Sequence, residues 1–130
     1  MQERVDQADD IFDPCSTAVL CHNDVHEANV VITRRNDTWQ ISGLLDVGGA
    51  IAADPLYDVA RTNYWSTRGN RGKQQALLDG YGRPTTREQT GLAVHMLYHA
   101  LELRNWFAIS KTDPATVQQI DADIDRLLSS

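Results

Sequence analysis

Cysteine is scarce in this chain of 130 residues: Cys15 and Cys21 are the two it has. One pair excludes a disulfide framework, and the spacing between them is too wide for a CxxC zinc site. Long hydrophobic runs are missing as well. The strongest, Val30-Val31-Ile32, falls far short of the roughly 20 apolar residues that span a bilayer, so no membrane partner is expected. Positive charge is in deficit, with 12 Lys+Arg against 18 Asp+Glu, a formal net charge of -6 and a pI near 5.0. That balance excludes an overall basic nucleic-acid binder and suits a cationic ligand. The start, Met1-Gln2-Glu3-Arg4, lacks the charged and apolar regions of a signal peptide, so a cytoplasmic location is expected. No internal repeat and no low-complexity tract interrupts the chain.

What is present is an ordinary globular composition, 42% hydrophobic and 23% charged, enough for about one domain with a modest core. The acids crowd the first 30 residues. Glu3, Asp6, Asp9 and Asp10 have few apolar partners, and residues 1–16 read as a lead-in segment. Thr17-Ala18-Val19-Leu20-Cys21 reads as a short buried strand in which Cys21 is a small hydrophobe. Two β-rich runs, Val30 to Thr33 and Trp39 to Leu45, flank an Asn36-Asp37 turn and predict a hairpin. Gly48-Gly49 then demands a loop.

From Asp54-Pro55 onward the signals are helical: an N-cap residue followed by a proline suited to the first helical position. A helix from Leu56 to Trp65 should bury Leu56, Val59 and Ala60. A second is expected over Lys73 to Leu78, stopped by Gly80-Tyr81-Gly82. Thr85 or Thr86 caps a third that runs to about Ile109, and Asp113-Pro114 opens a last amphipathic helix. Tyr57, Tyr64, Trp65, Tyr98, Trp106 and Phe107 have spacings that suit packing between helices. The fold class expected is α+β and helix-dominated. Residues 17–53 carry the β element with its polar loops, and 54–130 form a helical subdomain.

The chemistry concentrates in His22-Asn23-Asp24-Val25-His26-Glu27-Ala28-Asn29 and in Asp46, at the far end of the hairpin. Asp24, in a loop after a strand, can accept a proton from a hydroxyl. Asn29 and Asp46 supply hard oxygens that suit Mg²⁺, and a hairpin returns the chain from one to the other at the same strand ends. One base and two metal ligands are the parts needed for phosphoryl transfer from a nucleoside triphosphate.

These residues carry a family resemblance. His22-x-Asp24-x-x-x-x-Asn29 has the spacing of a kinase catalytic loop, and His26 makes it similar to the H-G-D-x-H-x-x-N loop of aminoglycoside and small-molecule phosphotransferases. Asp46-Val47-Gly48 resembles the D-F-G-like metal loop of that family. Asp54-Pro55-Leu56-Tyr57-Asp58-Val59-Ala60 resembles its G-D-P-x-x-D-L-A segment. The resemblance implies a kinase-like C-terminal lobe that uses Mg²⁺ with ATP or GTP to phosphorylate a hydroxyl of a small, cationic acceptor. Asp24 would be the catalytic base, and Asn29 and Asp46 the metal ligands. His22 and His26 would support the loop, Asp54 would cap the helix, and Asp58 would tie the loop to the lobe. The helices from Lys73 to Ile109 would form the acceptor side.

The sequence departs from the family pattern at Asn23 and Ala53, which replace glycines, at Glu27-Ala28, which replaces Pro-Gly, and at Val47 for phenylalanine. The family also implies an N-terminal lobe with a Gly-rich loop and a phosphate-pairing lysine, and residues 1–16 cannot hold one. The chain therefore reads as the C-terminal part of a phosphotransferase, weakly active or inactive alone, whose partners include the missing lobe or another chain. Two other readings stand beside it. One is a non-catalytic remnant or interaction module, which an exposed apolar face would favour. The other is a metal-dependent hydrolase built on His22, Asp24 and His26. His95 and His99 share a helix face and read as partly buried or interface groups. Arg68, Arg71 and Lys73 read as a solvated basic loop.

Overall fold

The computed structural model describes residues 17–110 and 114–129. The lead-in segment, Cys15 and the cap expected at Asp113 lie outside the described residues. The class is α+β and helix-dominated, with two small antiparallel strand pairs. By its contacts the chain divides into two compact units, 17–82 and 83–130.

In the first unit, β1 (Val19–Cys21) pairs with β4 (Ile51–Ala53), setting Cys21 opposite Ile51. The expected burial of β1 is corrected: Leu20 is 82% exposed, and Cys21 alone is buried. A two-stranded ribbon has one covered face at most, and only every second side chain can use it. The hairpin is β2 (Val30–Arg35) and β3 (Thr38–Leu44), joined by Asn36-Asp37, both with positive φ (47° and 62°). Left-handed conformation at both turn residues is what a tight hairpin turn needs, and Asn and Asp tolerate it. Val31 pairs with Gly43 but Ile32 with Ile41, so Ser42 is an extra residue in β3. That bulge keeps Leu44 on the same side as Ile41 despite an odd spacing. The shared side carries Ile32, Trp39, Ile41 and Leu44, all exposed, with Arg34 stacked 5.9 Å above the Trp39 ring.

The helix α1 (Leu56–Arg61) buries Leu56, Tyr57, Val59 and Ala60, and these join Cys21 and Tyr64 in the core. It then widens into a π turn, Thr62–Ser66, which the sequence pattern does not announce. The next helix, α2 (Arg71–Tyr81), is longer at both ends than its apolar periodicity suggests. Asn70 caps it by accepting the Lys73 amide at 3.0 Å, and Gly82, at φ 112°, closes it in a conformation that side chains rarely adopt.

The second unit is a helix pair, α3 (Thr86–Ile109) and α4 (Pro114–Ser129). Thr85 and Glu88 form a reciprocal capping box at the start of α3. Leu92, Ala100, Leu103, Ile120 and Ile124 are the buried apolar residues, and Arg104 binds Asp121 across the pair at 2.8 Å. That contact, hydrogen bond first and charge second, raises the pKa of Arg104. His99 is fully buried against Glu102 at 3.4 Å. Tyr98 and Trp106 are 50% and 57% exposed, which corrects their expected place in the core. Both lie outside the stripe that the long helix buries. Among the described residues no helix is long and apolar enough to cross a membrane.

Candidate active site

The polar residues at the open end of the hairpin are held by backbone, not left to loop freedom. Leu45 donates its amide to the Asn29 carbonyl at 2.9 Å, and the ring Nε2 of His22 donates to the Leu45 carbonyl at 2.8 Å. The two bonds tie the segment 22–29 to the chain leaving β3, just before Asp46. The other ring nitrogen of His22, Nδ1, is buried and has no hydrogen-bond partner.

Asn23 stands at φ 64°. Glycine is freest there, but Asn is one of the side chains that adopts the left-handed region readily, so its replacement of a glycine is compatible with the turn. Its Nδ2 also reaches the Gly49 carbonyl at 3.3 Å. Ala53, the other glycine replacement, is an ordinary strand residue and does not have positive φ. Asn23→Ala is expected to cost about 1–2 kcal/mol, because Ala has neither the left-handed tolerance nor the amide. Asn23→Gly should cost less than that, and urea midpoints at constant slope compare the two.

Asp58 reaches back from α1 to accept the amides of His22 and Asn23 at 2.6 and 2.7 Å. Asp54 caps the same helix, its Oδ1 accepting the Leu56 amide at 2.7 Å. Cys21 lies beneath this junction with its thiol on the Asp54 carbonyl at 3.4 Å. Burial first, then the charge of Asp58, pushes that thiol up from its ordinary value.

The carboxylate of Asp24 is bracketed. Arg61 Nη2 lies 3.5 Å from Oδ1, while Asn29 Nδ2 donates to Oδ2 at 3.3 Å and to the Asp24 carbonyl at 2.9 Å. His26 accepts the Ala28 amide on Nδ1 at 3.2 Å, and its Nε2 lies 3.1 Å from the Asn29 amide nitrogen and 3.4 Å from Asp24 Oδ2. Asn29 is buried and spends its amide nitrogen on Asp24, leaving the side-chain carbonyl oxygen as its free donor set. Asp46 is exposed, left-handed at φ 58°, and makes no capping bond. An amide oxygen and a carboxylate at adjoining chain ends, neither consumed internally, fit a hard divalent cation such as Mg²⁺.

Other groups lie around the loop. Glu27 pairs with Lys73 at 3.9 Å, and its carboxyl is held below its ordinary range, first by a backbone hydrogen bond and then by Lys73. Arg68 stacks over Tyr64 and Trp65 at 5.9 and 5.6 Å, so it is anchored and not simply solvated. The basic-loop expectation is further corrected for Arg71 and Lys73, which belong to α2. Among the described residues no group of three or more His, Cys, Asp and Glu is placed to hold a metal, and the hydrolase reading loses its ligand set. Arg61, Thr62 and Ser66 were not marked by the sequence motifs. Their one signal is position, three, four and eight residues after Asp58 on the same helical face.

The model of the phosphotransferase enzyme family matches residues 1–93. No curated relative and no solved structure matches the chain.

Proposed function

The chain belongs to the phosphotransferase enzyme family, and from that membership we propose that the site at residues 22–46 transfers a phosphoryl group from ATP or GTP to a hydroxyl of a small acceptor. The family generally uses ATP with Mg²⁺. In this reading the first unit carries the catalytic and metal loops of a kinase-like C-terminal lobe. The acceptor is a cationic, aminoglycoside-like molecule, in keeping with the net charge of -6.

The observation that carries the reading is the tie between the two loops, Leu45 to Asn29 and His22 to Leu45. It gathers Asp24, Asn29 and Asp46 at one end of one hairpin. Asp24 orients the acceptor hydroxyl and takes its proton as the acceptor oxygen bonds to phosphorus and the bond to the nucleoside diphosphate breaks. Asn29 and Asp46 would hold Mg²⁺, which would neutralise the charge of the nucleotide's phosphates. His22 fixes the hairpin end, His26 sets its Nε2 against both the Asn29 amide and Asp24, and Asp54 and Asp58 hold helix and loop in register.

Calorimetric titration with MgATP, run on the chain and on Asp46→Asn, tests the proposal. Binding by the chain that weakens by about tenfold or more in the variant is expected, the scale of one lost charged contact. Absent binding, or equal binding by both, overturns it.

One observation favours a second reading. The apolar side of the hairpin is open, with Trp39 63% and Ile41 71% exposed, and so large a patch invites a covering partner. As a non-catalytic interaction module, the chain would bind another lobe or chain there. Ile41→Lys would then reduce association in sedimentation, while MgATP would have no effect on the chain.

A further inference from the structure

One helical face reaches every residue of the turn that carries Asp24. Asp58 takes the amides of His22 and Asn23, and Arg61 faces the Asp24 carboxylate. The hydroxyls of Thr62 and Ser66 both donate to the Val25 carbonyl, at 3.2 and 3.0 Å. Thr62 opens the π turn and Ser66 closes it, so one widened turn spans the two hydroxyls that share a single acceptor. Such π turns recur where a helix must place side chains for function.

We propose that Arg61 is a positioning residue for Asp24. Resting on the phosphotransferase reading, it fixes the carboxylate plane that meets the acceptor hydroxyl. Asp24 has one soft torsion left once its backbone is pinned on both sides, by Asp58 before it and by Thr62 and Ser66 after it. That torsion turns the carboxylate about the Cβ–Cγ bond. Asn29 and His26 engage Oδ2 only, and a carboxylate held by one oxygen still swings. The guanidinium at Oδ1 closes the other side. Arg61 is itself only 18% exposed and rises from a helix whose neighbours Val59 and Ala60 are buried, so its own placement is rigid. A planar, always-charged fork suits this better than a point charge. Oδ1 keeps a second lone pair for the acceptor hydroxyl, so Arg61 orients the base without occupying it.

The consequence is a coupling between residues that face opposite oxygens of one carboxylate. Removing the guanidinium frees Asp24 to rotate, and Asn29, on the opposite oxygen, must register the change. The experiment follows the Asn29 side-chain amide resonances by ¹⁵N NMR in the chain, in Arg61→Met and in Arg61→Lys. Turnover with MgATP and a hydroxyl acceptor is measured in parallel. Arg61→Met is expected to move the Asn29 signals while the amides of His22 and Asn23 stay in place, and Arg61→Lys to return them most of the way. In turnover, kcat should fall by about 10- to 100-fold in Arg61→Met, with KM for MgATP within about twofold, the signature of misplaced reacting groups. Unmoved Asn29 signals, or an unchanged kcat in Arg61→Met, overturn the proposal. If the unaltered chain neither binds MgATP nor turns over while the Asn29 signals respond as described, the phosphotransferase reading fails and the placement of Asp24 by Arg61 stands. Loss of the His22 and Asn23 amides in Arg61→Met, with no return in Arg61→Lys, would show a merely structural residue and also overturn it.

Discussion

Asp58→Ala should cost the chain about 3–5 kcal/mol, the largest stability loss expected from any single polar change in the first unit. The carboxylate accepts two backbone amides at 2.6 and 2.7 Å. Hydrogen bonds to a charged acceptor contribute about 1.5–3 kcal/mol each, and truncation leaves both amides without a partner in a half-buried junction. Water reaches that junction only in part, because His22 is buried and Asn23 partly so. Asp58→Asn should lose less, since one oxygen remains to serve one amide while the new NH₂ opposes the other. Urea unfolding reads the difference, with the slope held as a check that the same surface unfolds. A loss under about 1 kcal/mol in Asp58→Ala would mean that water replaces the carboxylate, and the clamp of α1 on the 22–25 turn would not be a strong one.

That clamp also marks the limit of what the sequence discloses. The hairpin is legible because Asn36-Asp37 sits between two β-branched runs, and the turn residues adopt the positive φ their side chains tolerate. The helix α3 follows from its cap and apolar periodicity, and α4 from apolar periodicity. The bulge at Ser42 is not legible: nothing about Ile41-Ser42-Gly43-Leu44 states where the register slips, because the slip depends on which residue β2 places opposite. The strand β4 is equally hidden. Ile51-Ala52-Ala53 has little β preference of its own and becomes a strand because β1 lies beside it. The π turn in Thr62–Ser66 has no glycine or proline to announce it, and its cause is tertiary, two hydroxyls sharing the Val25 carbonyl. At the site, motif spacing singles out Asp24, Asn29, Asp46, Asp54 and Asp58. It passes over Arg61, since the family pattern is read along the chain while the contact between Arg61 and Asp24 crosses from helix to loop.

Asp24→Asn is the change expected to have the largest effect on turnover, a fall in kcat of about 10²- to 10⁴-fold, the range of one removed general base. The substitution keeps shape and most of the packing. The Asn29 amide retains its bond to the backbone carbonyl of residue 24, and Asp58, Thr62 and Ser66 hold the loop from groups that the change does not touch. What is lost is the anion. A neutral amide takes no proton from an acceptor hydroxyl, and its NH₂ group meets either Arg61 or the donors on the other side, so the carboxamide has no orientation that satisfies both. Binding of MgATP should stay within a few-fold of the unaltered chain, because Asn29 and Asp46 remain. Asp46→Asn should behave in the opposite way, losing nucleotide while the loop around residue 24 is unchanged. ³¹P NMR of a reaction mixture with acceptor in excess reads product formation, and calorimetry reads binding. The pair separates the two halves of the proposed mechanism: a base that would act on the acceptor, and oxygens that would hold the nucleotide's metal. If both substitutions instead lower binding and turnover together, Asp24 belongs with the metal-holding groups, and the base must be sought elsewhere on the loop.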